Sequence, residues 1–115
     1  MGLGIHTRSI LFTTLVPSPW RSSVPAVKSY QQLLSASGMP PPSYLGLEVF
    51  INTHALLEGL RKAGSGVQRS TLPAALEALG ELRYGHMHVR LAAPARTGSS
   101  YVGLAMIDQS GQFRE

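Results

Sequence analysis

The 115-residue sequence contains no cysteine. Disulfides, thiolate zinc sites and cysteine nucleophiles are therefore excluded. Charged residues are scarce at 14%, against an average of about 25%. With hydrophobic residues at 43%, the chain has apolar surface to bury, and disorder is not expected. No run approaches the ~18 consecutive apolar residues of a membrane span. Phosphate-cradling loops are missing as well. Gly2-x-Gly4 and Gly64-x-Gly66 lack a third glycine, and neither leads into Gly-Lys-Ser/Thr. There is no Gly-x-Ser-x-Gly nucleophile elbow. The six acids are scattered and form no catalytic pair. The enzyme reading thus has no constellation to stand on.

What is present fits one small domain with a modest core. The net charge of +4 comes from eight Arg and two Lys against six acids. The arginines (8, 21, 61, 69, 83, 90, 96 and 114) are spread evenly, with no aromatic ladder among them. A nucleic-acid partner is not expected from that pattern. His86-Met87-His88 is the one metal-like motif. Two positions apart on a strand, both imidazoles would share a face, with His6 or His54 as a further ligand. No carboxylate or cysteine accompanies them, so neither a metal nor another cofactor is expected. At the N-terminus, the apolar run Ile10 to Val16 is short, and Pro17, Pro19 and Trp20 follow it instead of a small-residue cleavage site. It reads as a buried strand, not a signal peptide. His6 stands where a myristoylation motif needs Ser or Thr.

The elements follow in order. A strand is predicted over residues 9–16, broken by Pro17 and Pro19. A helix over 24–37 has Ser22 or Ser23 to cap it and Pro25 in its first turn, with Val24, Val27, Tyr30 and Leu34 on one face. Gly38 and the prolines at 40–42 end it. The longest helix spans 43–63. Its stripe, Val49, Phe50, Thr53, Leu56, Leu57 and Leu60, follows the spacing i, i+1, i+4, i+7, i+8, i+11. Leu45, Leu47 and Ile51 lie off that stripe, so the first half is apolar almost all round and needs burial on several sides. Tyr44, Glu48 and Asn52 share a face at i, i+4 and i+8. A third helix is predicted over 72–82, capped by Ser70 or Thr71, with Leu72, Ala75, Leu76 and Leu79 as its stripe. Strands are expected at 87–91, alternating Met87, Val89 and Leu91 against His88 and Arg90, and at 101–107. A loop over 92–100 joins them, and a turn at 108–111 precedes Phe113. Strands 10–16 and 101–107 can pair as a small sheet under the three helices.

The order of these segments is more informative than any one of them. A strand ends in Val16-Pro17-Ser18-Pro19-Trp20, and Val24-Pro25-Ala26-Val27-Lys28-Ser29-Tyr30-Gln31 follows. Then come Pro42-Ser43-Tyr44-Leu45-Gly46-Leu47-Glu48-Val49-Phe50, running on to Leu60-Arg61-Lys62-Ala63-Gly64, and Leu72-Pro73-Ala74-Ala75-Leu76-Glu77. Gly98-Ser99-Ser100-Tyr101-Val102 precedes the last strand. This run closely resembles the C-terminal third of the extracytoplasmic solute-binding proteins of ABC transporters. The branch is the one related to leucine/isoleucine/valine-binding proteins, with the type I periplasmic-binding fold, and the resemblance covers about residues 10–115.

The resemblance implies an α/β chain with an incomplete two-lobe architecture. Residues 17–91 would supply first-lobe helices and a strand, and 9–16 and 101–113 would be second-lobe strands. Hinge crossings would fall at Val16 to Trp20, stiffened by Pro17 and Pro19, and near Ala92 to Ser100. It implies a non-enzymatic, periplasmic or extracytoplasmic solute binder for amino acids or similar small polar solutes, with ABC permease subunits as partner. Trp20, Tyr44, Leu45 and Glu48 would stand nearest the cleft, Glu48 meeting an ammonium or orienting a neighbour. The first two thirds of such a protein have no counterpart here, so impaired binding by this chain alone is expected. Ala95-Arg96-Thr97-Gly98 departs from the acidic or His residue that relatives often carry before the glycine. The rival reading is an assembly module, whose exposed helix faces bury against a second copy or a separately encoded other half. A His-dependent metal protein is a distant third.

Overall fold

The computed structural model describes residues 10–92, 94 and 98–115. His6, the first residue of the predicted strand, the leader considered at the N-terminus and the Ala95-Arg96-Thr97 departure lie outside the described residues. Among those described, one strand is followed by three consecutive helices and then by four strands. β1 is Leu11–Thr14, α1 Pro25–Ser37, α2 Tyr44–Ala63 and α3 Leu72–Glu77. β2 is Glu81–Tyr84, β3 Met87–Arg90, β4 Gly103–Ile107 and β5 Phe113–Arg114. The α/β class predicted from the sequence is therefore present.

The strands form two separate sheets. β1, β4 and β5 make an antiparallel sheet in the order β1-β4-β5, with Leu11 opposite Met106 and Ile107 opposite Phe113. β2 and β3 make a hairpin, with Tyr84 opposite Met87. The hairpin and helices enclose the main core of Val27, Tyr30, Leu47, Ile51, Tyr84, Met87 and Val89, joined by Val16 from the segment after β1. No residue of β1, β4 or β5 is in that cluster. The predicted pairing of 10–16 with 101–107 is thus present, but its placement under the helices is not: the sheet stands beside them. The shape agrees. The radius of gyration is 16.6 Å, where a compact chain of this length would have about 13 Å.

Local chemistry explains the boundaries. β1 ends at Thr14 because buried Pro17 and Pro19 follow and remove two ladder donors. Neither Ser22 nor Ser23 caps α1. Val24 holds the cap position without a side-chain bond, and Pro25 occupies the first turn, where a missing N–H costs little. Left-handed Gly38 closes the helix, donating to Leu34. Ser43 caps α2 by accepting the Gly46 N–H at 3.0 Å, and Arg61 and Lys62 sit at its negative end.

Two sequence expectations need correction here. The buried face of α2 is Leu47, Ile51, Ala55 and Gly59, every fourth residue, and not the large apolar stripe. Val49, Leu56 and Leu57 remain about half exposed. Close helix packing selects small residues, which a count of large apolar ones overlooks. A methyl carbon on Gly59 would overlap Leu76 Cδ2 and stand 2.9 Å from its Cγ, so the glycine is what lets α3 approach. The predicted helix 72–82 also runs too far. α3 stops at Glu77, and Glu81 to Tyr84 form β2 instead. Gly85, at φ 67°, opens the two-residue loop of the hairpin, where primed turns need a positive φ. His86 therefore lies in a turn and His88 on β3, not together on one strand face.

Candidate functional site

The two parts of the chain meet across an aromatic cluster. β1 contributes Phe12, the segment after the prolines Trp20, the first turn of α2 Tyr44, and β5 Phe113. Trp20 stacks on Phe113 with ring centroids 5.0 Å apart and planes at 14°. Tyr44 meets both edge-on, at 5.5 Å and 5.7 Å. Phe12 closes the group at 6.2 Å from Tyr44 and 5.7 Å from Phe113. Such offset and edge-to-face pairs add roughly 0.5–1.5 kcal/mol each beyond area burial.

A polar rim borders these rings. The Tyr44 hydroxyl donates to Glu115 Oε1 at 3.4 Å, and Arg21 Nη2 lies 3.5 Å from Glu115 Oε2. Burial, reinforced by the Glu115 charge, pushes the Tyr44 hydroxyl up to a pKa of about 12. Tyr101 is also raised, by burial first and then by Glu115. The segment carrying Trp20 is held in place: Gln31 of α1 donates to the Pro19 carbonyl at 2.9 Å. On the other side, Asp108 fastens the turn before β5. It accepts from the Ser110 hydroxyl and N–H, from Gln112 N–H and from Arg114 Nε, which together hold its carboxyl well below the usual range.

Of the four residues expected near a cleft, the structure brings Trp20 and Tyr44 into contact. Glu48 lies one turn further along α2 and borders two hollows. The smaller, about 220 Å³, lies between β1 and Tyr44. The larger, about 470 Å³, is lined by Leu15, Val16, Asn52, Leu56, Leu76, Leu91 and Tyr101 among others. Leu45 is elsewhere. It points with Leu33, Met39, Pro40 and Val49 into an apolar groove of about 490 Å³ between α1 and α2. Thr14, buried at the β1–β4 pairing, has the one hydroxyl among the described residues that is both buried and without a hydrogen-bond partner.

Sequence reasoning missed Phe12, Arg21, Tyr101, Phe113 and Glu115. Arg21 adjoins Trp20 in sequence, which was a usable signal. Glu115 is 71 positions from Tyr44, and no local pattern connects them. Among the described residues, no group of three or more His, Cys, Asp or Glu is placed to hold a metal ion. His88 instead pairs with Glu81 at 3.2 Å. His54 faces the buried Tyr84 hydroxyl at 2.7 Å, tying α2 to the hairpin.

No family model and no curated protein matches the sequence. Solved structures do match. An extracellular ligand-binding receptor from Verminephrobacter eiseniae ef01-2 superposes on 95% of this chain with a TM-score of 0.82 at 22% identity. A substrate-binding periplasmic protein from Ralstonia solanacearum covers 93% with a TM-score of 0.80 at 23% identity. A possible leucine/isoleucine/valine-binding protein from Rhodopirellula baltica SH 1 covers 98% with a TM-score of 0.84 at 27% identity. In each case the present chain spans 31% of the other's length.

The fold is therefore that of part of a periplasmic binding protein. The chain is similar to leucine/isoleucine/valine-binding-type proteins, as the order of segments in the sequence indicated. By their descriptions these neighbours are periplasmic or extracellular ligand-binding proteins. No helix among the described residues is long and apolar enough to cross a membrane.

Proposed function

We propose that the chain supplies the hinge and one wall of the cleft of an extracytoplasmic solute-binding protein. That protein would serve an ABC importer for amino acids or similar small polar solutes, with the permease subunits as partner. In this reading residues 17–91 belong to one lobe and 9–16 and 101–113 to the other, and the chain is not an enzyme. Pro17 and Pro19 stiffen the crossing. The observation that carries the reading is the Trp20–Tyr44 contact where the β1-β4-β5 sheet meets the first turn of α2, in a fold whose solved neighbours are described as ligand-binding. Glu48, beside Asn52 in the larger hollow, is the group available to an ammonium. Leu45 faces the other way and is left out of the site.

A cleft needs both walls, so the chain alone is expected to bind weakly or not at all. Calorimetric titration with a panel of amino acids tests this. In a full-length relative of about 27% identity, replacing the counterparts of Tyr44 and Glu48 by Ala should abolish binding. Unchanged high affinity would refute the site.

A second reading is favoured by a specific observation. Leu45 is 71% exposed and Val49 56%, and both line the apolar groove between α1 and α2, the kind of exposed apolar surface that marks interaction sites. We infer that such faces pair with a second copy or with a separately encoded other half. Light scattering across a dilution series decides: mass rising with concentration supports assembly, and a constant monomer mass rejects self-association.

A further inference from the structure

Glu115 is unusual among the surface acids. Its side chain is only 13% exposed although the surrounding segment is open to solvent. It reaches into a recess where Arg21 and the Tyr44 hydroxyl meet it, with Tyr101 in electrostatic reach. Two residues earlier, Phe113 lies flat on Trp20 with Tyr44 against its edge. The segment thus presents a ring and a carboxylate to a stacking surface and a cation–hydroxyl pair.

Its hold is slight. β5 is two residues long and both are exposed. Phe113 and Trp20 stay 37% and 42% exposed, so the segment can leave without opening the main core. Once it leaves, the recess has Arg21 and the Tyr44 hydroxyl beside an uncovered indole. That chemistry selects an anion with a flat apolar body, since charge-assisted bonds from guanidinium and hydroxyl are the strong ones.

We propose that Trp20, Arg21 and Tyr44 form a binding site for a carboxylate bearing a flat apolar ring, and that Phe113 and Glu115 occupy this site as an internal stand-in. The inference rests on the solute-binding reading and narrows it to one ligand class. Displacement of the segment accompanies binding, so the intact chain binds more weakly than one whose stand-in is removed.

Trp20 is the sole tryptophan, and its emission reports the site directly. The test compares the intact chain with a Phe113→Ala/Glu115→Gln variant, titrated with phenylpropionate, phenylpropionamide, butyrate and glutamine. Far-ultraviolet circular dichroism confirms that the variant keeps its helices. The variant's Trp20 emission should shift to the red, and phenylpropionate should reverse that shift. Its affinity should exceed that for the amide or butyrate by roughly tenfold or more, and exceed its affinity for the intact chain by a similar factor. Unchanged Trp20 emission in the variant would show that the site is not self-filled and overturn the inference. Equal responses to the acid and its amide would do the same. A response to glutamine without one to phenylpropionate overturns this inference but leaves the solute-binding reading standing, and silence toward every probe in both proteins likewise overturns this inference alone, since that reading expects weak or no binding by one wall of a cleft.

Discussion

The approach of α3 to α2 at Gly59 permits a quantitative test. In Gly59→Ala the new methyl overlaps Leu76 Cδ2 and lies 2.9 Å from Cγ. Two opposing effects follow. Alanine favours the helix interior over glycine by about 1 kcal/mol. Overpacking costs about 1–3 kcal/mol, and a clash that includes the branch carbon belongs in the upper half of that range. The net loss should be about 1–2 kcal/mol, a fall in Tm of roughly 4–8 °C for a chain of this size. The decisive measurement is the double-mutant cycle with Leu76→Ala, by urea unfolding followed in the far ultraviolet. Leu76 is half-buried, so its truncation alone should cost about 1–2 kcal/mol, less than a fully buried leucine. With the clash removed, Gly59→Ala should become stabilising by about 1 kcal/mol. The coupling energy would then be about 2–3 kcal/mol. If Gly59→Ala is already stabilising by about 1 kcal/mol in the intact chain and coupling is below about 0.5 kcal/mol, Leu76 simply swings aside. Small-residue packing would then not be what holds α3.

Three further outcomes follow from the ionisable groups. Tyr44 is held neutral, its pKa raised from 10.0 to about 12, so its contribution to stability is full below pH 10 and lost as pH rises through 12. Difference titration of phenolate absorbance against Tyr44→Phe should show this late step, and Glu115→Gln should bring it earlier; a step at pH 10 in the intact chain would contradict the contact. Asp108 is depressed, so what it contributes is present above its ordinary pKa of 3.8 and lost only as pH falls through its lower folded value. Asp108→Ala should loosen the turn before β5 and shift Trp20 emission to the red at neutral pH, and an unmoved spectrum would mean that β5 does not depend on that turn. Finally, His54→Ala leaves the buried Tyr84 hydroxyl without its 2.7 Å partner, which should cost about 1–3 kcal/mol in a urea melt; His54→Gln, which keeps a hydrogen-bonding group, should recover part of that loss.

Much of the fold is legible because it is written in punctuation. Pro25 and Gly38 bracket α1, Ser43 and Gly64 bracket α2, and Pro17 with Pro19 end β1. Alternation across Met87 to Arg90 marks β3, with Met87 and Val89 buried and His88 and Arg90 exposed. Two features escaped for physical reasons. The end of α3 is ambiguous because Leu79 continues the helical spacing of Leu72 and Leu76, while Gly80 and Gly85 carry the turn signals that favour a hairpin. The buried side of α2 escaped because hydrophobic periodicity weighs bulk, and Ala55 and Gly59 are buried for lack of it. The larger stripe is the more conspicuous and the less buried: α1 covers Phe50 through Tyr30, while Val49, Leu56 and Leu57 stay about half exposed.

The site divides the same way. Trp20 and Tyr44 stand out as aromatics at element boundaries, and the structure makes them neighbours. Leu45 and Tyr44 are adjacent in sequence, yet on a helix adjacent residues diverge by about 100°, and this sends Leu45 into the groove between α1 and α2. Residues four apart stay together, so Glu48 shares the Tyr44 side and borders the same hollow. Arg21 comes with its sequence neighbour Trp20, whereas Phe113 and Glu115 reach the site through sheet topology. β4 runs antiparallel to β1, β5 turns back beside β4, and its end returns to the first turn of α2. That closure depends on the Asp108 turn, on a two-residue strand and on one ring stacked on another. No one of these suffices alone, so weakening any of them should free Trp20, and a variant that loosens the turn and the stack together should free it no further than the stack alone.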